Sequence, residues 1–251
     1  MRTALVARSL ALLCLLGGAV APRAARAANE RYDPFSGYGT HSARVGLTGG
    51  LLTGDLATPR GVAEGYGQKS LSAEFNALTF FEPTVFGTLL GLEFDAALGI
   101  RSVDKPAAVA DPENTTEGVG PTFKMDFEFT YDLVRWKILK LRQRFILNAG
   151  GGFDYNSHPW ALLSGESGWR AYPLIGGHVQ TSVGDSVFLD VSYRLVPTQS
   201  KDGVGLEHRV GVGLGIRRFV VAAHLNTVRV LDTGSGPLDQ TQVGLSLFWT
   251  L

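Results

Sequence analysis

Val243-Gly244-Leu245-Ser246-Leu247-Phe248-Trp249-Thr250-Leu251 closes the chain with an apolar side chain at every second position. Val243, Leu245, Leu247, Trp249 and Leu251 share one parity; Gly244, Ser246 and Thr250 share the other, and Phe248 is the exception. Successive side chains of a strand point to opposite faces, so the segment reads as a β-strand with one oily face and one small or polar face. The same alternation runs through Phe123, Met125, Phe127, Phe129, Tyr131 and Leu133, with Lys124, Asp126, Glu128, Thr130 and Asp132 between them. An amphipathic helix would repeat its apolar positions every three or four residues, and neither segment does.

Working outward from these two segments, ten strands are expected: 42–53, 69–81, 87–101, 120–134, 137–155, 169–183, 186–197, 204–217, 219–231 and 239–251. The sixth alternates poorly, and Pro173 weakens its start because proline has no N–H for the ladder. The connections alternate too. Long links (Gly54–Gln68, Ser102–Val119, Asn156–Gly168) take turns with short ones (Glu82–Val85, Arg135-Trp136, Gly184-Asp185, Arg217-Arg218). Long loops at one rim and short turns at the other, with an even strand count, describe an up-and-down transmembrane β-barrel. The expected fold is therefore all-β, a single antiparallel barrel of ten strands, with eight or twelve as the neighbouring counts.

The N-terminus has a different character. Arg2 and Arg8 precede the apolar run Leu10–Ala21, and Ala25-Arg26-Ala27 follows with the small-x-small pattern of a signal-peptidase site. The run is too short for a spanning helix, which needs about 20 residues. Residues 1–27 are expected to be a cleaved signal peptide, 28–40 a periplasmic segment carrying Tyr32, Phe35 and Tyr38, and 41–251 the barrel. Cleavage removes the lone cysteine, Cys14, so disulfides are excluded. It also leaves 19 Lys+Arg against 23 Asp+Glu, and no basic tract that would suit nucleic acid.

A soluble sandwich alternates as well, and the two architectures differ in the polar face. Here it gathers Glu93, Asp95, Arg101, Lys124, Asp126, Glu128, Arg142, Arg144, Asp154, Asp190, Arg194, Glu207, Arg209 and Arg217, with acids and bases in balance. Balance is what an enclosed face requires, because a buried charge needs a partner. Glycines 211, 213 and 215 would make room for inward arginines. Phe80, Phe81, Phe86, Trp136, Phe219 and Trp249 fall near short-turn ends, and Tyr155, Trp160, Trp169 and Tyr172 near long-loop ends, as two interfacial girdles would. Leu245 and Leu247 are expected to face lipid at mid-membrane, and Ser246 the interior.

The signal, the alternating strands and the C-terminal Leu247-Phe248-Trp249-Thr250-Leu251 resemble the bacterial outer-membrane β-barrel superfamily. The resemblance covers nearly the whole mature chain and implies a Gram-negative outer membrane, with lipid and lipopolysaccharide as surroundings. It further implies that the barrel-assembly machinery reads the last strand through Leu247, Trp249 and Leu251. That superfamily usually ends in Phe or Trp, and this chain ends in Leu251.

Ten strands enclose a lumen filled by side chains rather than an open pore. The inward charges are accordingly expected to form a structural network, and neither a metal nor a cofactor is expected. One pair has the chemistry of a reaction. His224 and Asn226 share the inward parity of strand nine, and symmetric pairing about the last loop would set His224 opposite Ser246. Serine beside histidine is the minimum of an acyl-transfer site, but a third group must orient the base. Strand eight offers only Gly211 and Gly213 there. Glu207-His208-Arg209 with His158 and Asp202 could form a protease-like rim site, though no motif supports it. The acidic stretch with Asp104, Asp111, Glu113 and Glu117 has no Ca²⁺-loop spacing.

Overall fold

Ten antiparallel strands close into one barrel in which β1 pairs with both β2 and β10. They are β1 (His41–Thr58), β2 (Gly61–Phe80), β3 (Leu89–Asp104), β4 (Gly118–Ile138), β5 (Leu141–Tyr155), β6 (Trp169–Val183), β7 (Val187–Ser200), β8 (Gly203–Ile216), β9 (Phe219–Val230) and β10 (Leu238–Thr250). This computed structural model describes residues 41–58, 61–80, 89–104, 118–138, 141–155, 169–183, 187–200, 203–230 and 238–251. The signal sequence and residues 28–40 lie outside them. No helix of the described residues is long and apolar enough to cross a membrane.

Parity sorts the side chains as a closed sheet must. On β10, Leu245 and Leu247 are 62% and 57% exposed, while Ser246 between them is 1% exposed. On β4, Phe127 and Phe129 face out, and Asp126, Glu128 and Thr130 are buried inside. The outward face is thus a belt of leucine, valine, isoleucine and aromatic residues, and the core of this molecule is its lumen.

Several expectations need correction. The first connection is not a fifteen-residue loop: β1 and β2 continue as a ladder to Thr58 and Gly61, with a bulge between Gly54 and Leu56. Gly54 has φ 155°, a conformation that side chains with a Cβ rarely adopt. β6, the strand with the weakest alternation, is cleanly two-faced, with Arg170, Tyr172, Leu174, His178, Gln180 and Ser182 inside. Pro173 sits on its outer face. Arg217 does not join the interior; it occupies the two-residue β8–β9 turn, exposed, at φ 56°. That is the left-handed conformation a tight hairpin turn demands.

Two girdle aromatics also turn inward. Phe80 packs with Ile146, and Phe188, Val220, Ala222 and Phe248 form a second apolar cluster. Together they line the short-turn end of the lumen, which explains why Phe248 breaks the parity rule of the last strand. Tyr172 is buried at the other end. Of the described girdle residues, Phe219 and Trp249 do form an outward T-shaped pair, with ring centroids 4.4 Å apart. Phe123, Phe153, Tyr155 and Trp169 form the matching cluster at the long-loop end.

Gly215 clears space for the Phe188 ring rather than for an arginine, since a Cβ there would fall on that ring. Gly215→Ala should therefore cost about 1–3 kcal/mol, the range for overpacking a filled interior. Urea titration of refolded protein measures this. Phe188→Leu added to Gly215→Ala should recover most of the loss.

Candidate functional site

The lumen holds two tiers of charge above its apolar floor. In the lower tier, Arg194 of β7 reaches across to β3 and β4. Its Nη2 donates to Glu93 Oε1 at 2.9 Å and lies 3.4 Å from Asp95, and its Nε is 2.7 Å from Glu128 Oε1. His178 of β6 lies between two acids, with Nε2 3.1 Å from Glu93 and Nδ1 3.1 Å from Asp190. Asn148 donates to Glu93 at 2.6 Å, and Asn76 donates to Asp95. Arg144 bonds Gln180 at 2.8 Å and stacks over the Phe80 ring at 4.7 Å, joining this tier to the floor.

The upper tier is built around Tyr172. Its hydroxyl donates to Asp126 at 2.6 Å, and its ring has Arg170 at 4.6 Å and Arg209 at 4.8 Å. Arg209 bonds Asp126 at 3.1 Å and Glu207 at 2.7 Å; Arg170 bonds Glu207 at 3.0 Å and Asp154 at 2.5 Å. Lys124 is 2.9 Å from Asp126. Arg142 stands on the inward parity beside Ser182, and its side chain lies outside the described set. Arg170, His178 and Asn148 are not singled out by the sequence reading, and Tyr172 enters it only as a girdle aromatic, although the inward parity of β5 and β6 contains all four.

Against this packed side, the wall of β9, β10, β1 and β2 is lined mostly by small and neutral groups such as Thr48, Gly50, Ser70, Asn226 and Gly244, with Glu74 on β2 and Arg44 on β1 as charged members. A cavity of about 270 Å³ lies between the two.

His224 borders that cavity, and its Nε2 is 2.6 Å from Ser246 Oγ. The pairing differs from the symmetric expectation. His224 is opposite Gly244 and Ser246 opposite Ala222, so the contact is diagonal. Thr48 Oγ1 makes a second bond to Ser246 Oγ at 2.5 Å. Asn226 bonds Gln242 at 3.2 Å instead of the histidine. Gly211 faces the other ring nitrogen: a Cβ built on it would lie 3.6 Å from Nδ1. Among the described residues no carboxylate bonds Nδ1. A hydroxyl beside a base is present, an orienting acid is not, and Ser246 is fully enclosed. The chemistry available is hydrogen bonding, with acyl transfer lacking one part.

The rim site read from Glu207-His208-Arg209 comes apart in the structure. Consecutive strand residues face opposite ways, so Glu207 and Arg209 enter the upper tier while His208 points outward and bonds Tyr193 Oη at 2.7 Å. His158 and Asp202 lie outside the described residues, as do Asp111, Glu113 and Glu117. Among the described residues no cluster of His, Cys, Asp and Glu could hold a metal ion.

No protein-family model matches this sequence, and no curated protein matches it. The solved structures it resembles are outer-membrane β-barrel proteins. LpxR from Salmonella typhimurium is 11% identical with a TM-score of 0.37, over 81% of this chain and 99% of that one. The outer-membrane protease OmpT from Escherichia coli is 9% identical with a TM-score of 0.38, over 84% and 96%. An outer-membrane channel from Pseudomonas putida F1 is 15% identical with a TM-score of 0.41, also over 84% and 96%. Likeness at this level transfers no activity, and the barrel rests on its own ten paired strands.

Proposed function

We propose that this chain is an integral outer-membrane β-barrel with a closed lumen and a structural, surface-interaction or accessory role there. The observation that carries the reading is Arg194, which spans the lumen from β7 to Glu93 and Asp95 on β3 and Glu128 on β4. With the apolar floor beneath it, this contact fills part of the lumen with salt bridges and hydrocarbon, beside the cavity of about 270 Å³. The apolar outer belt suits lipid, and closure leaves no unpaired strand edge to solvate, which is the condition for a sheet inside a bilayer. Outer-membrane lipid and lipopolysaccharide would surround the belt. The assembly machinery would read β10, whose Leu247 and Trp249 point outward.

Purified protein in planar bilayers is expected to show no sustained openings on the nanosiemens scale. Such openings would mean that the interior is open water and that a narrow channel is the better description.

A second reading, a hydrolase acting on lipid or peptide, is favoured by one observation, the 2.6 Å contact between His224 and Ser246. It requires release of fatty acid from phospholipid vesicles, or cleavage of a peptide, that Ser246→Ala abolishes.

A further inference from the structure

On the outward face, β5 and β6 carry a notch in the apolar belt. Its floor is Gly151, Ala171 and Pro173, and its sides are Met125, Phe127 and Phe153. The register makes these residues neighbours: Gly151 lies between Phe127 and Pro173, and Phe153 between Met125 and Ala171.

The run Gly150-Gly151-Gly152 does not have one cause. A Cβ on Gly150 would strike the Phe127 carbonyl, and one on Gly152 would strike the Asp126 carboxylate and the Tyr172 ring. Those two glycines are required by close inward packing. A Cβ on Gly151 would meet only the Tyr172 carbonyl, at 3.0 Å, with its next neighbours at 3.9 Å. Space is left open on that side, and the interior does not account for it.

We propose that this notch seats one acyl chain of an outer-leaflet lipid; the proposal rests on the membrane reading above. Its depth fits. Phe123, Phe153, Tyr155 and Trp169 cluster at the long-loop end with centroids 5.0–6.3 Å apart, the arrangement of an interfacial aromatic belt. Gly151 is four residues below Tyr155, roughly 13 Å along the strand at about 3.3 Å per residue, which places the floor in the hydrocarbon of that leaflet. No charged side chain lines it. A hollow between rigid rings forfeits dispersion contacts unless something flexible enters. A second copy of the chain fills it poorly. A two-fold axis along the membrane normal brings equal depths together, so a pair docked at this spot would set hollow against hollow.

The test uses wild type, Ala171→Phe, which fills the floor from an exposed outward position, and Val191→Phe, an exposed outward control on β7. Each is inserted into vesicles of palmitoyl-oleoyl phosphatidylethanolamine and phosphatidylglycerol, extracted in mild detergent and weighed intact by native mass spectrometry. Wild type and Val191→Phe should each retain one phospholipid, and the lipid-carrying fraction should fall about tenfold in Ala171→Phe. Equal retention in all three, or none by an inserted wild-type barrel, overturns the notch alone. A wild-type dimer that Ala171→Phe dissociates assigns the notch to a second copy and overturns the proposal. Failure of the wild type to insert removes the membrane reading, and the notch with it.

Discussion

Replacing Arg194 with methionine should destabilise the barrel by about 3–5 kcal/mol, the cost of breaking a buried ion pair from one side. The reason lies in how charge is distributed between walls. On β3 and β4, Glu93 is directly opposite Glu128, and Asp95 is directly opposite Asp126. On β7 and β8, Arg194 is directly opposite Arg209. Like charges facing each other across a ladder are destabilising, so each wall repels itself. Part of the relief is local, from Lys124 to Asp126 and from Glu207 to Arg209, and the rest comes across the lumen, where Arg194 meets Glu93, Asp95 and Glu128, and Arg209 meets Asp126. Methionine fills similar volume and leaves the carboxylates behind. Glu128→Gln made together with Arg194→Met should recover part of the loss, with a coupling of about 0.5–3 kcal/mol. Urea unfolding of vesicle-inserted protein, followed by tryptophan fluorescence, gives both values. A loss below about 1 kcal/mol would show that water already solvates these carboxylates, as at an exposed pair.

That distribution also marks the limit of what the sequence discloses. Period-two alternation locates the strands because one buried face enforces it, and β10 and β4 show it almost without error. Alternating loop lengths then give the closure. Balanced acids and bases on one parity announce an interior network, but parity cannot say which wall answers which. Arg194 and Glu93 meet only because the sheet closes, and they are 101 residues apart in the chain. The aromatic rule failed at Phe80 and Tyr172 for a definite reason. A ring near a strand end reads as interfacial wherever it points, and parity, which puts both inside, was the better guide. β6 looked irregular because Pro173 and Gly177 interrupt its outer face, while its inner face from Arg170 to Ser182 is regular. The diagonal His224–Ser246 contact depends on the β9–β10 register, and strand ends placed one residue late, at 231 and 239, shift the expected pairing by two residues.

Leu245→Arg should cost about 2–4 kcal/mol, the penalty for a cation on a barrel's lipid face near the midplane. Leu245 lies close to the centre of β10, is 62% exposed, and has Gly49 on β1 and Ala223 on β9 as its register neighbours. An arginine there finds hydrocarbon and no carboxylate. Leu247 is two residues nearer the rim marked by Trp249 and Phe219, so Leu247→Arg should cost less, falling toward the roughly 0–1 kcal/mol seen at the interface. Ser246 lies between the two leucines and bonds Thr48 and His224, so Ser246→Ala should cost at most about 1–2 kcal/mol, one or two modest hydrogen bonds. The order of the three, measured by folding into vesicles, tests facing and depth together. In a water-soluble barrel the two arginines would be nearly silent, because their outward positions would meet solvent. If Ser246→Arg is tolerated while both leucine variants block insertion, the facing stands and the lumen has room for a long side chain there. If Ser246→Arg alone blocks insertion and both leucine variants are silent, the belt does not face lipid, and the closed outer-membrane reading fails with it.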